Sequence, residues 1–137
     1  MIDMLDPDLV TATVDAHWDR ALPVLEDYIR IPARSPAFDP DWSANGHLSA
    51  AVELIRTWCE ENTPEGTTVE IHEIDGRTPV LVVDVAASPG VDRTDTVLLY
   101  GHLDKQPEMT GWREGLGPWT PVIENDRLYG RGGADDG

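Results

Sequence analysis

The sequence holds a single cysteine, Cys59, among its 137 residues. An internal disulfide is therefore excluded, and so is a metal site built from several thiolates. Because Cys59 falls on the apolar side of a helical pattern, we expect an inert, buried thiol. No apolar run approaches the roughly 20 residues of a membrane span, and the N-terminus has neither the basic region nor the apolar stretch of a signal peptide. We therefore expect a cytoplasmic protein with no membrane partner.

Basic residues are also scarce, with 10 lysines and arginines against 26 aspartates and glutamates, which gives a net charge of −16. A surface this negative repels phosphate backbones and anionic lipid, so nucleic-acid binding is not expected. The simplest interpretation is a well-solvated acidic surface, including one suited to high salt. A specific cationic partner is the alternative.

The first half of the chain predicts two amphipathic helices. Asp6 and Pro7 are suited to the N-cap and the first helical position, and apolar residues then recur at three- and four-residue steps from Leu9 to Ile29. Pro23 lies inside this pattern and predicts that the helix is kinked or split. The second helix carries four apolar residues on one face: Leu48, Val52, Ile55 and Cys59.

The second half predicts strands. Val69 and Ile71 share one strand face, and Asp75-Gly76 forms the turn that follows. Residues 79–86 and 95–102 are short apolar runs typical of strands buried on both faces. Residues 121–130 predict two short strands around a turn at Asn125-Asp126. Two helices followed by a mixed sheet make this a single α/β domain.

The spacing His-x-Asp occurs twice, and local structure separates the two copies. With 16 aspartates and four histidines, roughly one chance copy is expected in every two such sequences. His17-Trp18-Asp19 lies in the first helix, where residues two apart point to opposite sides, so we expect a surface histidine beside a core tryptophan. His102 and Asp104 leave the end of a predicted strand, where residues two apart share a face. There the imidazole can bind a metal while the carboxylate fixes its tautomer.

The C-terminal stretch RLYGRGGADDG is rich in glycine and ends in paired carboxylates. Its glycines allow a tight backbone path that brings Asp135 and Asp136 into a site. A phosphate-binding loop is not supported, because neither of the usual glycine-rich phosphate patterns is present. A glycine-rich turn with solvated carboxylates stays open as the alternative.

These motifs together resemble metallopeptidase family twenty, which includes aminoacylases, carnosinase-type dipeptidases and glutamate-type carboxypeptidases. The resemblance rests on GHLDKQPE, a following Gly-Trp, and GPWTPVIENDRLYGRGGADDG, and it is densest from Val97 to Gly137. It continues more faintly upstream, at Tyr28-Ile29-Arg30-Ile31-Pro32 and at Ser35. The pattern is most similar to the dipeptidase-like branch, so the fold implied is the N-terminal portion of a zinc-peptidase catalytic domain.

The resemblance implies a role for each candidate site residue. His102 corresponds to a ligand of one zinc ion, Asp104 to the catalytic-site aspartate that orients it, and Asp135 to a carboxylate that bridges two zinc ions. Manganese or cobalt are the alternative metals. His102 and Asp135 are then expected within roughly 3–5 Å of each other. A strained, cis peptide is implied between Asp135 and Asp136, and Arg131 is expected to brace the loop.

In the family, a metal-bridged hydroxide attacks the peptide carbonyl, and a downstream glutamate moves the proton. The glutamate pair and the remaining metal ligands of the family follow the Asp-Asp motif. Residues 1–137 are therefore expected to be the N-terminal part of a catalytic domain, truncated after Asp135-Asp136-Gly137 and inactive alone. The resemblance implies a dipeptide or small-peptide substrate and a homodimeric full-length protein. The alternative is a non-enzymatic acidic interaction module that retains the peptidase fold.

Overall fold

The computed structural model describes residues 6–90 and 96–135. Helices are followed by small antiparallel sheets, which confirms the α/β class. Within these two ranges, no helix is long and apolar enough to cross a bilayer. The elements in chain order are α1 (Pro7–Arg30), α2 (Trp42–Asn45), α3 (His47–Asn62), β1 (Thr68–His72), β2 (Val80–Asp84), β3 (Val122–Glu124) and β4 (Arg127–Tyr129).

Helix α1 begins where the sequence predicts. The Asp6 carboxylate accepts a hydrogen bond from the amide of Asp8 at 3.0 Å, and Pro7 occupies the first helical turn, where its missing N–H costs nothing. The helix runs without a break across Pro23, so the predicted split is wrong, and the kink given as its alternative stays a prediction. The loss of one backbone hydrogen bond does not interrupt a helix of 24 residues.

The core lies where the C-terminal end of α1 packs against α3 and the loop between them. Ile29, Ala33 and Ala51 are fully buried, and Tyr28 is 1% exposed. The predicted apolar face of α3 is confirmed at Leu48 and Val52, both buried, and at the half-buried Ile55 and Cys59. Burial raises the pKa of the Cys59 thiol, which keeps it in the unreactive protonated form.

The N-terminal half of α1 stands away from this core. Its apolar side chains Leu9, Val14 and Trp18 are all more than half exposed, at 64%, 58% and 51%. The prediction of a core tryptophan at position 18 is therefore wrong, because no described element packs against this part of the helix. His17 is a surface residue, as expected, and its Nδ1 lies 2.8 Å from Arg20 Nη2.

The two predicted hairpins are present. β1 pairs with β2 in antiparallel register, with Val69 opposite Val83, and β1 packs against α3. β3 pairs with β4 around Asn125 and Asp126, which have φ values of 52° and 57°. Positive φ at both central residues is the geometry of a type I′ turn, whose twist matches that of the flanking strands.

The prediction of strands buried on both faces is wrong for the described residues. β2 exposes most of its side chains, and residues 96–102 form no strand. In the latter segment Leu98, Leu99 and Tyr100 are 87–89% exposed. A cavity of about 780 Å³ is lined on one side by β2 and on another by residues 98–104. A strand is buried only when other strands and helices cover it, and the described part of the chain leaves this side of β2 open. The described residues therefore form two separate antiparallel pairs of strands, whereas one mixed sheet was expected.

Candidate functional site

The structure pairs His102 with Asp104. His102 Nδ1 lies 3.0 Å from the Asp104 carboxylate oxygen Oδ1 and 2.9 Å from the Asp104 backbone carbonyl oxygen. A backbone carbonyl oxygen only accepts hydrogen bonds, and so does an ionised carboxylate. Nδ1 is therefore the ring nitrogen that carries the proton, and the lone pair of the ring lies on Nε2. This is the tautomer that binds a metal through Nε2. Both side chains are about one-third exposed, at 35% and 30%, so the pair can be reached from solvent.

The backbone after this pair is tied to the loop that follows α1. The amide of Lys105 donates to the Ala33 carbonyl at 2.8 Å, and the amide of Ser35 donates to the Lys105 carbonyl at 2.9 Å. These two bonds form a parallel bridge between Arg34 and Lys105. The bridge places the His102–Asp104 pair beside the buried end of α1.

The side chain of Lys105 is buried, at 2% exposure, and contacts the C-terminal end of α1. Its Nζ donates to the carbonyls of Tyr28 at 2.6 Å, Ile31 at 2.8 Å and Ile29 at 3.3 Å. Carbonyls at a helix C-terminus lack intrahelical partners and carry the negative end of the helix dipole, so they suit a cation. Burial lowers the pKa of Lys105 to about 8. The sequence interpretation missed this residue, because lysine is usually exposed and no pattern marks Lys105 as an exception.

Tyr28 joins the end of α1 to the candidate site. Its hydroxyl donates to the carbonyl of Leu103, between the two paired residues, at 3.1 Å. The Nζ of Lys105 lies 3.9 Å from the centroid of the Tyr28 ring, on its face. Burial raises the pKa of the Tyr28 hydroxyl, and the negative charges of Asp104 and Asp135 raise it further. Both carboxylates therefore act electrostatically on the same hydroxyl.

The glycine-rich loop passes in contact with the same residues. A Cβ added to Gly132 would lie 2.8 Å from Lys105 Cε, and one added to Gly130 would lie 2.4 Å from a methyl carbon of Ile29. Both glycines also have positive φ, 86° and 154°. Larger side chains at these positions would therefore push the loop away from α1 and Lys105.

Arg131 braces this loop, as expected. Its backbone amide donates to the Pro118 carbonyl at 2.7 Å, and its Nε donates to the Pro107 carbonyl at 2.9 Å. The second bond links the loop to the segment directly after Lys105. The segment that carries Asp135 and the segment that carries His102 are thus linked by the hydrogen bond between Arg131 and Pro107.

The candidate ligands are of the types that bind zinc, but residues 6–90 and 96–135 do not gather enough of them for a complete site. An imidazole with its lone pair on Nε2 and nearby carboxylates are ordinary zinc ligands. In those ranges, however, no group of three or more histidine, cysteine, aspartate or glutamate side chains is gathered. Catalytic zinc sites take about three protein ligands. The distance from His102 to Asp135 stays a prediction, and the peptide between Asp135 and Asp136 lies outside the described residues.

Comparisons with known proteins match the segment that carries these motifs and, at lower similarity, most of the chain. Residues 98–137 match the Peptidase family M20/M25/M40. The chain is also 28% identical over 139 residues to the Beta-Ala-His dipeptidase of Mus musculus, an alignment that covers 90% of this chain and 25% of that protein. The chain thus spans about a quarter of the length of this curated relative. These two matches confirm the resemblance to the metallopeptidase family, and in particular to its dipeptidase-like members.

Proposed function

We propose that this chain is the N-terminal part of the catalytic domain of a zinc-dependent amide hydrolase of the dipeptidase or carboxypeptidase type. The observation that carries the proposal is the pairing of His102 Nδ1 with Asp104 at 3.0 Å, within the segment that matches the peptidase family. The proposed substrate is a dipeptide or another small peptide. The proposed compartment is the cytoplasm, which agrees with Cys59 as the single cysteine.

In this proposal, three residues act on the metals. His102 would hold a metal ion through Nε2, while Asp104 keeps the proton on Nδ1 and so makes the ring a better ligand. Asp135 would contribute its carboxylate to holding the metal. Zinc, when bound, would polarise a peptide carbonyl and make water more acidic, and manganese or cobalt are the alternatives.

In the same proposal, residues 1–137 contain only some of the metal ligands and catalytic residues. The described residues gather no group of three or more candidate metal-ligand side chains, and the proposal assigns the general base to the glutamate pair that follows the Asp-Asp motif in the family. General bases contribute about 10²–10⁴-fold to such reactions, and the metals supply the nucleophile. We therefore expect the 137-residue chain to bind zinc weakly and to show no measurable hydrolysis.

The decisive experiment compares the 137-residue chain with the protein expressed from its complete reading frame. Both are supplied with zinc and assayed against a panel of dipeptides. Turnover is expected only for the product of the complete frame, and it should fall at least about 10²-fold in His102→Ala and in Asp135→Ala. His17→Ala is the matched control, because it alters the second His-x-Asp copy, which lies exposed on α1.

Zinc-dependent turnover by the 137-residue chain would contradict the expected inactivity, and it would mean that self-association completes the site. Equal losses in His17→Ala and His102→Ala would contradict the site assignment. A complete frame that holds no further glutamate pair would favour the second candidate function.

That second candidate is a non-enzymatic acidic module that retains the peptidase fold. The net charge of −16 favours it, because such a surface attracts cationic partners. Binding to a basic protein, without zinc-dependent hydrolysis, would be its signature. Sedimentation of the complete product tests the further expectation that the full-length protein is a homodimer.

A further inference from the structure

Lys105 has no part in the chemistry proposed above, yet it is the most completely buried basic residue in the described parts of the chain, at 2% exposure. Its Nζ donates to three carbonyls at the end of α1, those of Tyr28, Ile29 and Ile31. A buried lysine with this many partners is held in one position. Since its backbone directly follows Asp104, that position bears on the candidate site.

We propose that Lys105 is a positioning residue that fixes the His102–Asp104 segment and the Gly130–Asp135 loop against the C-terminal end of α1. The proposal rests on the function proposed above, since it concerns the same site. In this proposal Lys105 does not contact the substrate. It acts only by holding other residues of the site in position.

Three sets of contacts meet at this one residue. The ammonium group binds the end of α1, and the Tyr28 ring beneath it carries the hydroxyl that donates to the Leu103 carbonyl at 3.1 Å. The backbone of Lys105 is bridged to the loop after α1. The stem lies against Gly132, where an added Cβ would come within 2.8 Å of Cε, 3.0 Å of Cδ and 3.2 Å of Cγ. The helix end, the His102 segment and the glycine loop therefore share Lys105 as a common contact.

This arrangement gives a physical reason for glycine at position 132, where a side chain would meet the lysine stem. A shorter residue at 105 would remove the ammonium donor from these carbonyls, although those of Tyr28 and Ile31 also accept from the backbone amides of Ile31 and Ala33. A longer or branched residue would collide with the loop at Gly132. Methionine is the informative replacement, because it retains an unbranched stem of similar length, with sulfur in place of one methylene, and removes the ammonium group.

The first test follows the imidazole signals of the four histidines by NMR in the 137-residue chain. In Lys105→Met the signals of His102 are expected to move more than those of the other three. Ile71→Ala is the control for a general loss of packing, because Ile71 is half-buried in β1, the strand that packs against α3. That variant should move the signals of the adjacent His72 and leave those of His102 in place. Unchanged His102 signals in Lys105→Met would overturn the proposal.

The second test approaches the same contact from the loop. Gly132→Ala should disturb His102 as Lys105→Met does, because the new methyl group meets the lysine stem. Gly111→Ala is a closely matched control, since Gly111 has the same φ of 86° and nothing within 4 Å of the added Cβ. Both variants carry the same backbone strain, so only the contact with Lys105 differs between them. Equal effects of the two alanines on His102 would count against the proposal.

The third test uses zinc itself and the protein from the complete reading frame. Residues that orient a metal ligand typically change metal affinity 10–100-fold when replaced. Lys105→Met is therefore expected to weaken zinc binding about 10-fold or more, and Ile71→Ala less than about 3-fold. If Lys105→Met does not fold, the comparison of Gly132→Ala with Gly111→Ala decides in its place. If the unaltered protein binds no zinc and hydrolyses no dipeptide, the proposed function is wrong, while the NMR comparison still decides the role of Lys105.

Discussion

Two ionisable groups meet at the end of α1, and burial opposes the charged form of each. Lys105 has its pKa lowered to about 8, whereas Tyr28, whose hydroxyl ordinarily has a pKa of 10.0, has it raised. Asp104 and Asp135 add to the second shift, because a phenolate beside two carboxylates would be repelled by both. The contact between Lys105 and the Tyr28 ring is thus a cation over a neutral aromatic ring at neutral pH.

The raised pKa of Tyr28 predicts a loss of stability at alkaline pH. Above pH 10 the unfolded chain releases the Tyr28 proton while the folded chain retains it, so stability falls as pH rises through this range, by at most about 1.4 kcal/mol per pH unit. Tyr28→Phe should remove this decline. It should also cost about 1 kcal/mol at pH 8, because the hydrogen bond to Leu103 is lost.

Urea unfolding at a series of pH values between about 8 and 11.5 measures this effect. Tyr100→Phe is the control, since Tyr100 is 87% exposed. Lys105 acts in the opposite direction, because its lowered folded pKa makes stability rise with pH between about 8 and 10.5. The contribution of Lys105 is present in the unaltered chain and in both phenylalanine variants, so it cancels when their slopes are compared. Equal alkaline slopes for the two phenylalanine variants would contradict the role given to Tyr28.

The sequence predicted those site residues that can be recognised from their immediate neighbours in the chain. His102 and Asp104 were recognisable because they are two positions apart at the end of an apolar run, and the structure holds them 3.0 Å apart. Lys105 was not recognisable, since its partner Tyr28 lies 77 positions earlier in the chain. A charged residue becomes buried through such distant contacts, and no short-range pattern encodes them.

The elements follow the same rule. The start of α1, the apolar face of α3 and the two hairpin turns were predictable, because caps, helical periodicity and turn residues act over a few positions. Residues 96–102 were predicted as a buried strand and are exposed instead. Valine and leucine favour a strand there, but burial depends on neighbours that lie elsewhere in the sequence. The composition of a segment therefore predicts its preference for helix or strand better than it predicts whether other elements will bury it.

Pro23 provides a test at the level of a single element. It lies on the exposed side of α1, inside a continuous helix, where proline removes one hydrogen bond and crowds the preceding turn. Pro23→Ala should therefore stabilise the chain, by up to about 3 kcal/mol. Pro7→Ala should have almost no effect, since Pro7 occupies the first helical turn.

The measurement is helical circular dichroism during urea unfolding of both alanine variants. A gain confined to Pro23→Ala is expected. A loss of stability in that variant would mean that the proline shapes α1 for packing that outweighs the missing hydrogen bond.

For the whole molecule, net charge and exposed apolar surface have opposite effects on association. The charge of −16 makes copies of the chain repel each other. Large apolar side chains are nevertheless exposed on the first half of α1, on β2 and at residues 97–100. Exposed apolar surface of this kind favours contact with other chains. Which tendency prevails depends on ionic strength, because salt screens the repulsion and leaves the apolar attraction intact.

We therefore expect the 137-residue chain to associate as salt is added. At about 0.01 M salt the Debye length is about 30 Å and repulsion reaches across the whole chain, whereas at about 1 M it is about 3 Å. Sedimentation velocity at a series of NaCl concentrations should show a monomer at low salt and larger species at high salt. Leu99→Gln should shift the onset to higher salt, because Leu99 is 87% exposed within the apolar segment. Thr57→Ala, on the exposed side of α3, is the control and should leave the onset unchanged. Association that weakens as salt is added would show instead that oppositely charged patches, rather than apolar surface, hold the copies together.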